Sequence, residues 1–215
     1  MSEHLLSVQQ VCDAYSELRI RVAELMRNIT SEQAKTVVPH CPQWTVKDCF
    51  AHMVSVPEDV IKGQMDGVAT DAWTDRQVQR HAEDSVIDLL TIWESNAALF
   101  GNTLPRIPQP VLSQFMFDQT THEHDIRAAL SKPGARDSMA VAVAEGFLRD
   151  SISRNSDAAI AGMANHKISG FEFLRSLSGR RSKAQISQIG FDLPLVEKFI
   201  QGMPFTIPDS DVSDD

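Results

Sequence analysis

The sequence predicts an all-α fold: a four-helix bundle followed by a C-terminal helical extension. Three observations carry that prediction. Apolar residues recur at alternating spacings of three and four along the N-terminal stretch. Thr, Ser and Asp caps and Gly or Pro stops then divide the chain into helical lengths. No stretch shows the alternation of apolar and polar residues that marks a half-buried strand, and no internal repeat is visible.

The first helix is expected over about 6–28. Val8, Val11, Tyr15, Leu18, Val22, Leu25 and Ile29 form an a/d seam. Such a seam serves a partner helix in a homodimer as well as a neighbour within the chain. Pro39 and Pro42 mark a loop. Thr45 with Asp48 reads as an N-cap and near capping box, with Trp44 in front as a hydrophobic staple. The second helix carries Val46, Cys49, His52, Val56 and Val60 on one face. Pro57 should kink it, because proline removes a backbone donor and crowds the preceding turn. Gly63 and Gly67 mark its end.

A third helix is expected over about 75–100, with Gly101 as its C-cap. Pro105, Pro108 and Pro110 link it to a fourth, over about 111–130, which Lys132-Pro133-Gly134 stops. A fifth, Ala-rich helix is expected over about 138–163. Three short helices follow. The first covers Phe171 to Leu177 and is closed by Gly179. Ser182 with Gln185 opens the second, and Asp192 with Pro194 the third. The expected division is a bundle over 1–135, an extension over 136–206, and a disordered acidic tail over 207–215.

Composition excludes several classes. The chain has 215 residues, 42% hydrophobic and 23% charged, as a globular protein does. Net charge is −9, and Asp209, Asp211, Asp214 and Asp215 place part of it in the tail. No basic stripe interleaves with aromatics, so nucleic acid is not an expected partner. The longest apolar run, Met139 to Ala144, is far short of the ~20 residues of a membrane span. Cys12, Cys41 and Cys49 are odd in number and form no CxxC. With no visible signal peptide, they indicate a reducing, cytoplasmic setting.

The chemistry gathers at histidines on apolar stripes. Asp118 and His122 stand four apart on the fourth helix, so both face one point. His52, on the inward face of the second helix with Cys49 and Val56, can supply a third ligand. Two imidazoles and a carboxylate suit Zn²⁺ foremost, with Ni²⁺ or Fe²⁺ as alternatives, and leave positions open for water or substrate. The other reading is a buried histidine bonded to an acid. His124 lies roughly 200° round the helix from His122. It and Glu123 read as solvated residues. Asp125 could orient a ligand, contact a substrate or thiol, or hold Arg127 by an ion pair. Arg180 and Arg181, where one helix stops and the next starts, could bind an anionic group of a substrate or thiol.

Cys41-Pro42-Gln43-Trp44-Thr45-Val46-Lys47-Asp48-Cys49-Phe50-Ala51-His52 resembles a C-P-x-W-T-V-x-D-x-x-A-H segment of the mycothiol-dependent maleylpyruvate isomerase family, within the DinB-like metal-binding bundles. The stretch Thr121 to Leu130 is similar to its H-x-x-D-hydrophobic-R-x-A-L signature. Phe171 to Ser182 is similar to F-E-x-L-R-x-x-x-G-R-R-S, which many actinobacterial members carry. The motifs occur in order, and the resemblance spans about 5–200. It implies a DinB-like four-helix bundle holding a divalent metal through His52, Asp118 and His122. It further implies mycothiol as co-substrate, and isomerisation or S-transfer on a small electrophile. The family's acid is commonly Glu, one methylene longer than Asp118, and the isomerase has a larger α/β C-terminal domain where this chain is helical. A hydrolase using metal-activated water and a non-catalytic metal- or ligand-binding bundle are the alternatives.

Overall fold

The computed structural model describes residues 3–214. Met1 and Ser2 of the expected bundle and Asp215 of the expected tail lie outside them. The fold is all-α, consistent with a DinB-like helical bundle, with one small two-stranded hairpin among the described residues. The chain divides into two compact units, each assembled from separate stretches. One takes the chain up to Ala14, Pro108–Thr121 and Gly134–Ser213; the other takes Tyr15–Ile107, His122–Pro133 and Asp214. Helices α1 (Val8–Arg27) and α7 (Gln109–Ala129) contribute to both. No helix among the described residues is long and apolar enough to cross a membrane.

In the unit that contains Tyr15–Ile107, the α1 seam is buried at Tyr15, Leu18, Val22 and Leu25. Tyr15 meets Phe100 and Trp93 edge-on, and Trp93 meets Phe50 the same way. This arrangement suits the ring quadrupoles. The expected loop after α1 contains more structure than its prolines suggest. Helix α2 (Ser31–Ala34) is opened by a Thr30/Gln33 capping box. Strand β1 (Val37–Val38) then pairs antiparallel with β2 (Cys41–Thr45). Strands this short, one of them containing Pro42, offer no alternation for a sequence pattern to detect.

The hairpin delivers Trp44 and Thr45 to the start of α3 (Val46–Lys62). The capping box is as expected. The Thr45 hydroxyl accepts from the Asp48 amide at 3.2 Å, and the Asp48 carboxylate accepts from the Thr45 amide at 3.0 Å. The helix continues through Pro57 to Lys62. Gly63 caps it at φ +67°, a left-handed conformation that suits a residue without Cβ. From Cys49 to Asp59 every residue of α3 is buried, so the helix is enclosed on all sides rather than on one face. Its acids Glu58 and Asp59 must therefore be paired inside the protein.

The single third helix expected over 75–100 is three: α4 (Asp71–Arg80), α5 (Val86–Ser95) and α6 (Ala97–Thr103). Thr70 caps α4, His81 ends it, and a Ser85/Asp88 capping box starts α5 afresh. Local capping outweighs the continuous apolar period here. Gly101 lies inside α6 instead of capping a helix.

His81 ties α4 to α3. Its Nε2 lies 2.9 Å from Glu58 and its Nδ1 2.7 Å from Asp84. A carboxylate at each nitrogen favours the imidazolium, in which both nitrogens donate. The Glu58 hydrogen bond raises the His81 pKa above the ordinary 6.5; burial opposes it and Asp84 adds to it. Burial alone would raise Glu58, but hydrogen bonds and charge from His81 and Lys62 outweigh it and hold its pKa at about 2. The pair's stabilisation is therefore complete between the ordinary values, 4.5 for Glu58 and 6.5 for His81. It fades as pH rises through the folded His81 value, and again as pH falls toward the folded Glu58 value. His81→Ala should accordingly lose most stability near pH 5.5, on the order of 2 kcal/mol, with less lost at higher and lower pH. Thermal midpoints of both proteins across the pH range check this.

The other unit contains the start of α7 and helices α8 (Met139–Ser153), α9 (Ala158–Gly162), α10 (Gly170–Leu177), α11 (Lys183–Gln188) and α12 (Leu193–Ile200). Phe117, Leu148, Ile152, Phe173, Ile186 and Val196 lie in its core. The fifth helix expected to run unbroken to Met163 stops at Ser153, and Asp157 caps α9. The Ser182/Gln185 capping box opens α11 as expected. Ser182 also donates to Asp211, in the segment expected to form the tail.

Candidate metal centre

Two helices present the site. Helix α3 places Cys49 and His52 on adjacent turns, both buried. Helix α7 carries His122, also buried, with Asp118 one turn earlier and half-buried on the same unbroken helix. The His52 and His122 rings stand 4.9 Å apart, nearly perpendicular at 81°. Ligand atoms of His52, Asp118 and His122 all lie within 4.8 Å of one another. Donors around a tetrahedral zinc sit about 3.4 Å apart, from bonds of ~2.0–2.1 Å. The three donors are of types that suit a divalent ion, and their spread exceeds that spacing by at most about 1.4 Å.

Each histidine is held from behind. His122 Nδ1 lies 3.2 Å from the fully buried Asp125 carboxylate and 3.6 Å from Cys49 Sγ. His52 Nδ1 lies 2.8 Å from Gln77 Oε1, and Gln77 Nε2 donates to Asp59 at 2.7 Å. Arg80 donates to the other Asp59 oxygen at 2.6 Å. Trp44, expected as a staple, stands half-buried against both rings, 5.3 Å from His52 and 5.5 Å from His122. Trp73 meets His52 edge-on. Trp73 also lines a cleft of about 930 Å³ with Asp59, Gln64, Arg76 and Arg80.

A second donor group shares His122. Cys41, His122 and Asp125 also bring ligand atoms within 4.8 Å of one another, with Cys41 Sγ 3.6 Å from Asp125. Cys41 comes from β2, so the hairpin that the sequence concealed also concealed this neighbour.

The remaining residues singled out from the sequence have other placements. Asp125 faces His122, not Arg127; Arg127 pairs with Glu123 at 2.9 Å. Glu123 and His124, expected to be solvated, are both buried. Arg180 and Arg181 belong to the unit that contains Gly134–Ser213. Arg181 grips Glu172 with both arms of its guanidinium, at 2.8 and 2.9 Å, and Arg180 donates to the Ser178 carbonyl at 2.5 Å. Gln77 and Asp59 were missed from the sequence. The available signal was Trp73-x-x-x-Gln77, one turn apart on α4, but placing that helix's start at 75 hid the register.

An all-α chain in which two helices bring two histidines and an acid together has the donor arrangement of a metal-binding helical bundle. Residues 15–127, a little over half of the chain, match the mycothiol maleylpyruvate isomerase N-terminal domain family. The chain belongs to that mycothiol-related, metal-binding family. No curated protein and no solved structure matches it.

Proposed function

We propose that the protein is a divalent-metal-dependent enzyme that uses a low-molecular-weight thiol of the mycothiol kind for isomerisation or S-transfer on a small electrophile. The observation that carries this reading is the convergence of His52, Asp118 and His122 in a chain of this family. These three residues would hold the ion, with zinc the best match to two imidazoles and a carboxylate. A bound divalent ion favours the thiolate form of an entering thiol near neutral pH. Asp125 keeps the Nδ1 proton of His122 in place and strengthens that imidazole as a ligand. Trp44 stands against both histidines and would limit the approach of water to an ion held there. In the isomerisation, the thiolate adds to an activated alkene, the resulting single bond turns, and the thiolate leaves unchanged.

The test combines metal removal with thiol dependence. The purified protein should contain a stoichiometric divalent metal. Chelation should abolish thiol-dependent turnover of cis-enoate or alkylating electrophiles, and zinc should restore it. A protein that retains no metal and shows no thiol-dependent turnover overturns the reading. Turnover without added thiol assigns the site to a hydrolase instead.

A further inference from the structure

Four groups from α3 and α4 form a continuous line: Arg80, Asp59, Gln77 and His52. Gln77 is wholly buried, and Asp59 and His52 nearly so. The direction of the line follows from donor and acceptor inventory. As the carboxylate partner of Arg80, Asp59 can only accept. The Gln77 group 2.7 Å away must therefore be its NH₂. That turns the Gln77 carbonyl oxygen toward His52, where an oxygen can only accept. His52 Nδ1 must then carry the proton, and its lone pair resides on Nε2. The opposite tautomer requires the amide to flip. Flipping would set its oxygen against the Asp59 carboxylate with no proton between them, an uncompensated buried repulsion.

We infer that Gln77, oriented by Asp59, is a positioning residue that fixes the His52 proton on Nδ1 and so presents Nε2 as the metal-binding atom. The inference rests on the proposed metal centre for its purpose, though not for its geometry. His122 reaches the same state by a different device. Its Nδ1 faces the Asp125 carboxylate directly, so its Nε2 is likewise left for the ion. The two ligands are thus preset by different partners, one a charged acid and the other a neutral amide. A carboxylate partner raises the basicity of an imidazole more than an amide does. The amide at His52 gives the tautomer without adding a third negative charge beside Asp118 and Asp125.

Long-range ¹H–¹⁵N correlation spectra of the full metal-free chain read the tautomer directly. The wild type should show His52 protonated at Nδ1. Gln77→Met keeps the volume and removes the acceptor. It should shift the proton toward Nε2 and weaken Zn²⁺ binding at least about tenfold, as loss of an outer partner does. Pairing Gln77→Glu with Asp59→Asn exchanges the roles: the new carboxylate accepts from His52 and from the new amide, whose oxygen still accepts from Arg80. This double variant should restore both the Nδ1 proton and Zn²⁺ affinity, which a merely structural role for Gln77 would not. A wild-type His52 protonated at Nε2 overturns the inference whatever the variants do. So does a Gln77→Met protein with unchanged tautomer and affinity, or a folded double variant that fails to restore them. A wild type with the Nδ1 proton that binds no Zn²⁺ sinks the metal reading and leaves the relay standing.

Discussion

Replacing His122 with alanine should remove divalent metal from the protein, weakening affinity by more than about 100-fold, beyond what loss of even an outer partner costs. The effect is large because His122 belongs to both donor groups, the one with His52 and Asp118 and the one with Cys41 and Asp125. Comparison of three variants decides which group holds the ion. If it sits with His52 and Asp118, His52→Ala should lose metal as fully as His122→Ala, and Cys41→Ser should keep it. If it sits with Cys41 and Asp125, the outcomes for His52 and Cys41 reverse. Elemental analysis of the purified variants reads this without any assay of turnover. Circular dichroism should show that each retains its helices, since α3 and α7 are held by much more than this contact. Asp118→Glu adds a further check. It lengthens the acid to the form common in the family, and should bind metal at least as tightly if the carboxylate ligates directly.

The parts of this molecule that local chemistry determines were legible in the sequence. The Thr45/Asp48 and Ser182/Gln185 boxes need only four consecutive residues, and both form as read. The shared face of Asp118 and His122 on α7 needs only the pitch of a helix, and the burial of His52 only its inward face. What escaped depends on long-range contact. Cys41 reaches Asp125 across 84 positions through a hairpin with almost no sequence signature, and Gln77 reaches His52 across 25 positions. In the polar turn Thr121-His122-Glu123-His124-Asp125, Glu123 and His124 read as solvated, because their neighbours are polar. All five are buried, and no periodicity reveals polar groups that are paired inside a protein. The third helix failed for the opposite reason. Its apolar period runs through a break that the Ser85/Asp88 box had already encoded.

Glu123 gives that buried turn its largest expected effect on stability. Its carboxylate is wholly buried between two guanidinium groups. Arg21 of α1 binds it with both arms at 3.1 and 2.9 Å, and Arg127, one turn on, binds it at 3.1 and 2.9 Å. Burial on its own would raise its pKa, but hydrogen bonds and charge from Arg21, with charge from His124 and Arg127, outweigh burial and hold it below the ordinary 4.5. Removing one member of such a cluster leaves the others desolvated without their counter-charge, a loss of about 3–5 kcal/mol. Arg21 and Arg127 keep some access to water, at 24% and 14% exposure, so the lower end of that range applies. Glu123→Ala should therefore lower the thermal midpoint by roughly 10 °C in a chain of this length. Glu123→Gln, which keeps the shape and some hydrogen bonds, should lose less. The sign with pH is fixed. A lowered carboxylate pKa contributes stability above the ordinary value and loses it as pH falls through the folded one. The gap between wild type and Glu123→Ala should be widest near neutrality and close in acid. Equal loss at neutral and acid pH would mean that Glu123 acts by filling space. A loss under about 1 kcal/mol would mean that the two arginines find water as readily as they find the acid.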